Sequence, residues 1–344
     1  EFINAELFRQ PKSNLAELLG HTMVPDTSLA SGVCGLKNFG NTCYLNSLLV
    51  ALAHLPLVRG WASEHRTRCG THPKHLSACT ACCLSTDIAT LFDDQASAPI
   101  IPRIAQHRAI WNRNFAGQGQ QCAHEAFCTL FAACDGADVQ TVASFNVHAN
   151  AADAYTTPWW QMQGFMTTST THCRQCNYKV CKYEQQNHLS IPLSSHGDMD
   201  VLMLEQLLSA SLGREELDDS DDRCERCNAV GRVRNVELVR FPKTLILHLK
   251  RWSQNIHGGW VKNHSHVEFP FEMDLSSTTH YKLRSLVVHS GNAGGGHYTA
   301  VVRTDQHFWS KYDDAALPIE VPWTVVLQAE AYLLMYEGSP SDMR

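Results

Sequence analysis

Two C-x2-C pairs, Cys173/Cys176 and Cys224/Cys227, constrain the fold of this chain more than any other feature of its sequence. The 47 residues 177–223 between them are too many for a compact zinc ribbon and suit two knuckles at the tips of paired strands. Four thiolates match a tetrahedral, closed, structural Zn2+, so metal is expected to order this part of the molecule, with Cys181 as a spare thiol. A third pair, Cys79/Cys82, lies at the end of a segment, Trp61 to Leu84, in which hydrophobic periodicity disappears while Cys and His accumulate. There His65-x3-Cys69-x9-Cys79-x2-Cys82 forms a second set of three sulfurs and one imidazole. His72, His75 and Cys83 compete for membership. The expectation is a loop-rich segment organised by a second ion, hence two structural Zn2+ per chain.

Fourteen cysteines, with no basic-then-apolar leader pattern in the first residues, favour a reducing compartment, cytoplasmic or nuclear, where thiols serve metal binding and catalysis. The formal net charge of −6 and the lack of any Lys/Arg-rich run argue against a direct grip on nucleic acid or anionic membrane. The longest apolar runs, such as Leu245–Leu247 and Ala331–Met335, fall far short of the roughly 20 residues of a membrane helix. With 344 residues the chain is long enough for two domains, or for one large domain with a protruding subdomain.

Residues 1–33 read as an arm or linker. Beyond them Leu45, Leu48, Leu49, Leu52 and Leu55 fall on one helix face, with Thr42 placed as its cap, so Cys43 opens a helix. A second helix is expected from about Cys122 through Phe127, Leu130, Phe131 and Cys134. From about Met162 the pattern turns to strands. These include Thr244–Leu249, Tyr281–His289, His297–Arg303 and Ala331–Glu337, the middle two joined by the glycine-rich, flexible stretch 290–296. The acidic run 218–222 reads as a solvated loop. Helices followed by strands indicate an α+β fold.

A cysteine at a helix start faces free N–H groups and the positive end of the dipole, which favour thiolate. Glycines 35 and 40 permit a turn that brings the Asn38 amide beside the sulfur as an oxyanion donor. By chemistry alone a cysteine near a helix start is more often a small buried apolar residue, and Cys43 reads that way first. A thiolate also needs one imidazole to take and return a proton, and His297, opening a strand after the glycine stretch, is suited to it. Asp313 or Asp314 can accept its second N–H. His248 and His289, within strand patterns, read as packing or surface residues.

The stretch G-L-K-N-F-G-N-T-C-Y-L-N-S at 35–47 resembles the cysteine box of ubiquitin-specific proteases. G-G-G-H-Y-T-A-V-V-R at 294–303, with W-S-K-Y-D-D at 309–314, resembles their histidine box. Q-Q-C-A-H-E at 120–125, L-H-L-K-R-W at 247–252 and A-Y-L-L-M-Y-E at 331–337 are similar landmarks, so the resemblance runs from Val33 to Glu337. It implies a papain-like α+β catalytic domain over 34–337 made of fingers, palm and thumb. The helical thumb would span about 34–160 and the fingers and palm about 161–337, carrying the fingers zinc and His297, with 338–344 as a tail. It implies Cys43 as nucleophile, His297 as base and acid, Asp313 as the group orienting His297, Asp314 as a supporting group near the oxyanion, and Asn38 at the oxyanion position.

For the substrate it implies that Gln121 and Glu125 meet the ubiquitin tail and that Tyr298 lines the channel for its terminal Gly-Gly. Cys122 stands where the family usually has Asp, a departure expected to weaken tail binding. The implied activity is hydrolysis of the peptide or isopeptide bond after the last glycine of ubiquitin, with ubiquitin, ubiquitinated proteins and activating proteins as partners. The second zinc constellation is similar to that of the SAGA-complex histone deubiquitinases, which suggests histone H2B as a substrate. The rival readings are a catalytically silent ubiquitin-binding module, whose hallmark of a missing triad member is not met, and a protease for another ubiquitin-like tag.

Overall fold

The computed structural model describes residues 34–69, 79–93, 99–111, 113–117, 119–145, 157–193, 201–217, 222–276, 279–292, 294–304 and 308–338. The expected arm at 1–33, His72, His75, most of the acidic run and the tail from 339 lie outside these. The fold divides into two compact units, Glu1–Met162 with His297–Val321, and Gln163–Gly296 with Pro322–Arg344. His297, expected in the β-rich part, therefore belongs with the helices.

The first unit holds four long helices: α1 (Cys43–Ala53), α2 (Pro56–Cys69), α3 (Thr80–Leu91) and α4 (Ala123–Phe145). Every residue of α1 is buried, so the leucine face read from the sequence is only one side of a helix wrapped all round. Its Tyr44 ring lies 5.7 Å from Phe115, and the fully buried Trp61 of α2 stands 4.5 Å from Trp159. The segment Trp61–Leu84, expected to be loop-rich, is helical over Trp61–Cys69 and Thr80–Leu84. Its periodicity was hidden because His65, Cys82 and Cys83 occupy the inward face beside Trp61, Ala62, Ala81 and Leu84. The strands Gly295–Arg303, Trp309–Tyr312 and Ile319–Val321 run antiparallel, pairing Ala300 with Tyr312 and Trp309 with Val321.

The second unit carries an antiparallel sheet in the order Lys179–Gln186, Phe165–Cys173, Arg232–Arg240, Gly213–Leu217. A second set of strands runs in the order Thr279–Asn292, Ala331–Gly338, Thr244–Lys250, Leu189–Pro192. Thr244–Leu249 is buried throughout, as a central strand covered on both faces requires. A hairpin of Trp252–Gln254 and Trp260–Lys262 follows it. Thr279–Asn292 and Gly295–Arg303 both reach further than expected, so most of the supposed flexible stretch is strand. At Gly291, φ is 104° and a Cβ would fall 2.4 Å from Gly295 O, so only glycine fits that turn. Among the described residues no single helix is long and apolar enough to cross a membrane.

Candidate active site and metal centres

The nucleophile candidate is presented by a strapped loop. Lys37 N donates to Ile100 O (2.7 Å), Ile100 N to Gly35 O (2.8 Å) and Leu36 N to Asp314 O (2.6 Å). A Cβ on Gly35 would lie 2.4 Å from both Asp314 O and Ala316 O, so the two backbones touch there only because residue 35 is glycine. Gly40 and Asn41 then take left-handed conformations (φ 81° and 53°), turning the chain into α1.

Two side-chain amides meet one carboxylate in this loop. Asn38 Oδ1 accepts from Thr42 N (3.0 Å) and Thr42 Oγ1 (3.2 Å), which points Nδ2 at Asp314 Oδ2, 2.7 Å away. Asn46 Nδ2 donates to Asp314 Oδ1 at 2.7 Å, with Leu36 O and Lys37 O at 3.3 and 3.4 Å. Thr42 does not cap α1 as expected: its hydroxyl accepts from Phe39 N (2.9 Å), and Asn38 receives its backbone N–H. Asn46 was given no role from the sequence. A polar residue 2% exposed inside an apolar helix was the available signal.

His297 Nε2 hydrogen-bonds Asp313 Oδ1 at 2.7 Å, both side chains being half-exposed, and this leaves Nδ1 as the nitrogen for a thiol. The two adjacent aspartates thus serve different partners. Cys43, first residue of α1, is 5% exposed. Burial pushes its thiol above the ordinary value, the Tyr298 backbone N–H works against that, and the Asp314 charge adds to it. The expected lowering by the helix start is therefore overturned, because desolvation of the sulfur outweighs the nearby N–H groups.

Of the expected substrate contacts, Tyr298 is buried and its hydroxyl is pushed upward, first by burial and then by Cys122, against the Ala123 N–H. Glu125 is exposed in the first turn of α4, and Gln121 Nε2 donates to Asn114 O at 3.2 Å. Cys122 is partly buried. His248 and His289 are both buried in strands.

Cys173, Cys176, Cys224 and Cys227 bring all four sulfurs within 4.8 Å of one another, with Cys173–Cys227 and Cys176–Cys224 each 3.6 Å apart. Four sulfurs about 2.3 Å from a tetrahedral Zn2+ would lie about 3.8 Å apart, so the set fits that ion. The two knuckles match: Asn177 and Asn228, each following a second cysteine, are left-handed (φ 55° and 59°), and each N–H returns to the first cysteine's carbonyl. In the helical unit His65, Cys69 and Cys82 also group within 4.8 Å, with Cys82 3.4 Å from His65 Nε2 and 3.3 Å from Cys69. Cys79, expected as the fourth ligand, stands outside this group of three, but it hydrogen-bonds Cys82 and His65, the first of which lowers its thiol. Either set can hold a metal ion. The spare Cys181 is exposed, 3.1 Å from Thr168 Oγ1 and 3.6 Å from Thr170 Oγ1, hydroxyls that lower its thiol.

A family profile described as ubiquitin carboxyl-terminal hydrolase matches residues 34–336. Ubiquitin carboxyl-terminal hydrolase 36 of Drosophila virilis is 27% identical over 320 residues, covering 88% of this chain and 25% of that protein. The Drosophila ananassae protein of the same name is 28% identical over 323 residues, with 89% and 28% covered. The chain thus spans about a quarter of the length of these curated relatives. Among solved structures it is similar to the SAGA DUB module of Ubp8, Sgf11, Sus1 and Sgf73 bound to monoubiquitin, with TM-score 0.75, 23% identity, and 94% of this chain and 73% of that one covered. The same module bound to ubiquitin aldehyde gives TM-score 0.76 and 24% identity, with 93% and 72% covered. At these identities the likeness to the solved structures is one of fold.

Proposed function

The chain belongs to the ubiquitin carboxyl-terminal hydrolase family, and from that premise we propose that it hydrolyses the peptide or isopeptide bond after the C-terminal glycine of ubiquitin, through an acyl-enzyme on Cys43. The observation that carries this reading is the hydrogen-bonded group at the start of α1. Asp313 holds His297 Nε2, while Asp314 holds the Asn38 and Asn46 amides.

In this mechanism His297 Nδ1 takes the Cys43 proton as Sγ attacks the glycine carbonyl carbon. The second Nδ2 hydrogen of Asn38, not used by Asp314, stabilises the oxyanion. Collapse breaks the C–N bond, and the imidazolium returns its proton to the leaving lysine amine. His297 then deprotonates a water that attacks the thioester, releasing ubiquitin carboxylate and the Cys43 thiol. Asp313 fixes the ring and stabilises its charged form. Gln121, Glu125 and Tyr298 receive the ubiquitin tail in this reading.

Zinc in the paired knuckles and in the His65–Cys69–Cys79–Cys82 set, two ions per chain, is structural in the same proposal. When bound it contributes folding free energy, and no proton or electron of the reaction passes through it. The proposed substrate protein is ubiquitinated histone H2B, and the proposed setting is the cytoplasm or nucleus with activating protein partners. Support for these comes from the second ligand set and from the likeness in fold to a module that holds Sgf11, Sus1 and Sgf73.

A ubiquitin probe with a C-terminal electrophile tests the reading. It is expected to label Cys43 alone, and Cys43→Ala to abolish hydrolysis of a fluorogenic ubiquitin amide while ubiquitin binding persists. Labelling at Cys34 or Cys122, with Cys43→Ala still active, refutes it. Faster turnover of another ubiquitin-like fusion reassigns the tag.

A further inference from the structure

Lys262 ends the hairpin strand Trp260–Lys262 with its ammonium buried, the side chain being 1% exposed. Nζ donates to His289 O at 2.6 Å and reaches Gly291 O at 3.4 Å, and it pairs with Glu330 Oε1 at 2.8 Å. Beside it the fully buried Arg251 directs Nε to Ala331 O and Nη1 to the carbonyls of Asn263 and Ser265. A buried ion pair is weak as a stabilising device, since apolar side chains of similar volume often serve as well. What distinguishes this one is the backbone that it grips. His289 and Gly291 lie where strand Thr279–Asn292 runs into the turn that leads to His297.

Three of the residues between Gly291 and His297 are glycines, which have no side chain to fix the course of the turn. Asn292 Oδ1 accepts from Gly294 N at 2.9 Å within it, and its start is held from outside. Gly296 returns against the ring of His289, where a Cβ would stand 2.2 Å from Nε2, and His289 itself is wedged by Trp252 (ring centroids 5.5 Å apart) and Tyr332 (6.4 Å). We infer that Lys262 is a positioning residue for His297: its ammonium anchors the carbonyls of His289 and Gly291, and so fixes the start of the glycine turn that delivers the base. This rests on the role proposed above for His297.

Lys262→Met keeps the aliphatic stem and removes the donors. Amide hydrogen exchange over 289–296 is expected to quicken, while the strand Phe165–Cys173 keeps its protection. The kcat per probe-labelled Cys43 is expected to fall roughly tenfold with KM within about twofold, the signature of a misplaced reacting group. Tyr281→Phe, which removes a buried hydroxyl bond to Pro242 O in the same unit, controls for general destabilisation and is expected to leave kcat per labelled site unchanged. Native exchange at 289–296 in Lys262→Met, or native kcat per labelled site, overturns the inference, as does an equal kcat loss in Tyr281→Phe. Should Lys262→Met not fold, Lys262→Gln is read by the same two measurements, since its neutral amide ends one bond short of the position from which the ammonium reaches both carbonyls. A wild-type chain that hydrolyses no ubiquitin substrate refutes the proposed function instead, and the exchange arm still decides whether Lys262 anchors the turn.

Discussion

Asp314→Asn is the substitution that separates the two adjacent aspartates most sharply. One carboxylate oxygen accepts from Asn38 and the other from Asn46, each at 2.7 Å. An asparagine offers a single acceptor oxygen, so one amide keeps a partner and the other faces a donor. Asn46 has the carbonyls of Leu36 and Lys37 to fall back on, at 3.3 and 3.4 Å, and so takes the loss. Exchanging charge-assisted for neutral hydrogen bonds costs about 1 kcal/mol at each amide, about 2 kcal/mol together. If the transition state feels it all, kcat falls about thirtyfold. The thiol should move the other way, because the Asp314 charge helps to raise it and its removal brings Cys43 down. The assay pairs kcat per probe-labelled site on a ubiquitin amide with the rate of Cys43 carboxamidomethylation followed by mass spectrometry. Faster alkylation beside slower hydrolysis is the expected outcome. A kcat within threefold of wild type, or hydrolysis and alkylation falling together, would refute the division of labour.

Asp313→Asn keeps an acceptor for His297 Nε2 but loses the charge, so kcat on the same amide is expected to fall at least tenfold while the alkylation of Cys43 stays near wild type. Gly35→Ala pushes a methyl into the backbone of 314–316, and kcat should drop as in Asp314→Asn, with a loss of roughly 1–3 kcal/mol in urea unfolding. Elemental analysis should give two zinc ions per chain, one lost in Cys224→Ser and the other in Cys79→Ser; a content of one, unchanged by Cys79→Ser, removes the helical site. His54 is wholly buried, with Nδ1 on Val50 O at 2.8 Å, and burial lowers its imidazole to about 4. The unfolded chain therefore binds a proton that the folded one refuses. The stability is present above about pH 6.5 and lost as pH falls towards 4, about 2 kcal/mol of it by pH 5. Urea titrations at both pH values should show a loss about 2 kcal/mol larger in the wild type than in His54→Phe, a comparison that cancels the opposite contribution of Asp87, whose carboxyl burial raises to about 7.

Much of the scaffold was legible from apolar pattern: α1, the buried strand Thr244–Lys250 and the closing strand Ala331–Gly338 each stand where leucines, isoleucines and valines cluster. Helices α2 and α3 were not, because His65, Cys82 and Cys83 fill core positions that a hydrophobicity count scores as gaps. At the site, local reasoning failed where a distant residue takes part. Thr42 looks like a cap until Asn38, four residues earlier, is seen to take its N–H. Asp314 meets Asn38 across 276 positions of sequence. The direction of the Cys43 thiol depends on how deeply the whole unit buries it, which no spacing of residues around position 43 encodes.

The unequal exposure of the thiols bears on how inhibitors of this chain are found. Cys43 is sealed to 5% exposure, whereas Cys181 lies open beside two threonine hydroxyls that favour its thiolate. Reactivity follows thiolate character and access, so a library of small electrophiles ranked by adduct mass alone will first report compounds that decorate Cys181. Such hits do not report on Cys43. Screening a Cys181→Ser chain, or scoring by protection from a ubiquitin-based electrophile, restores the ranking to the sulfur at the head of α1.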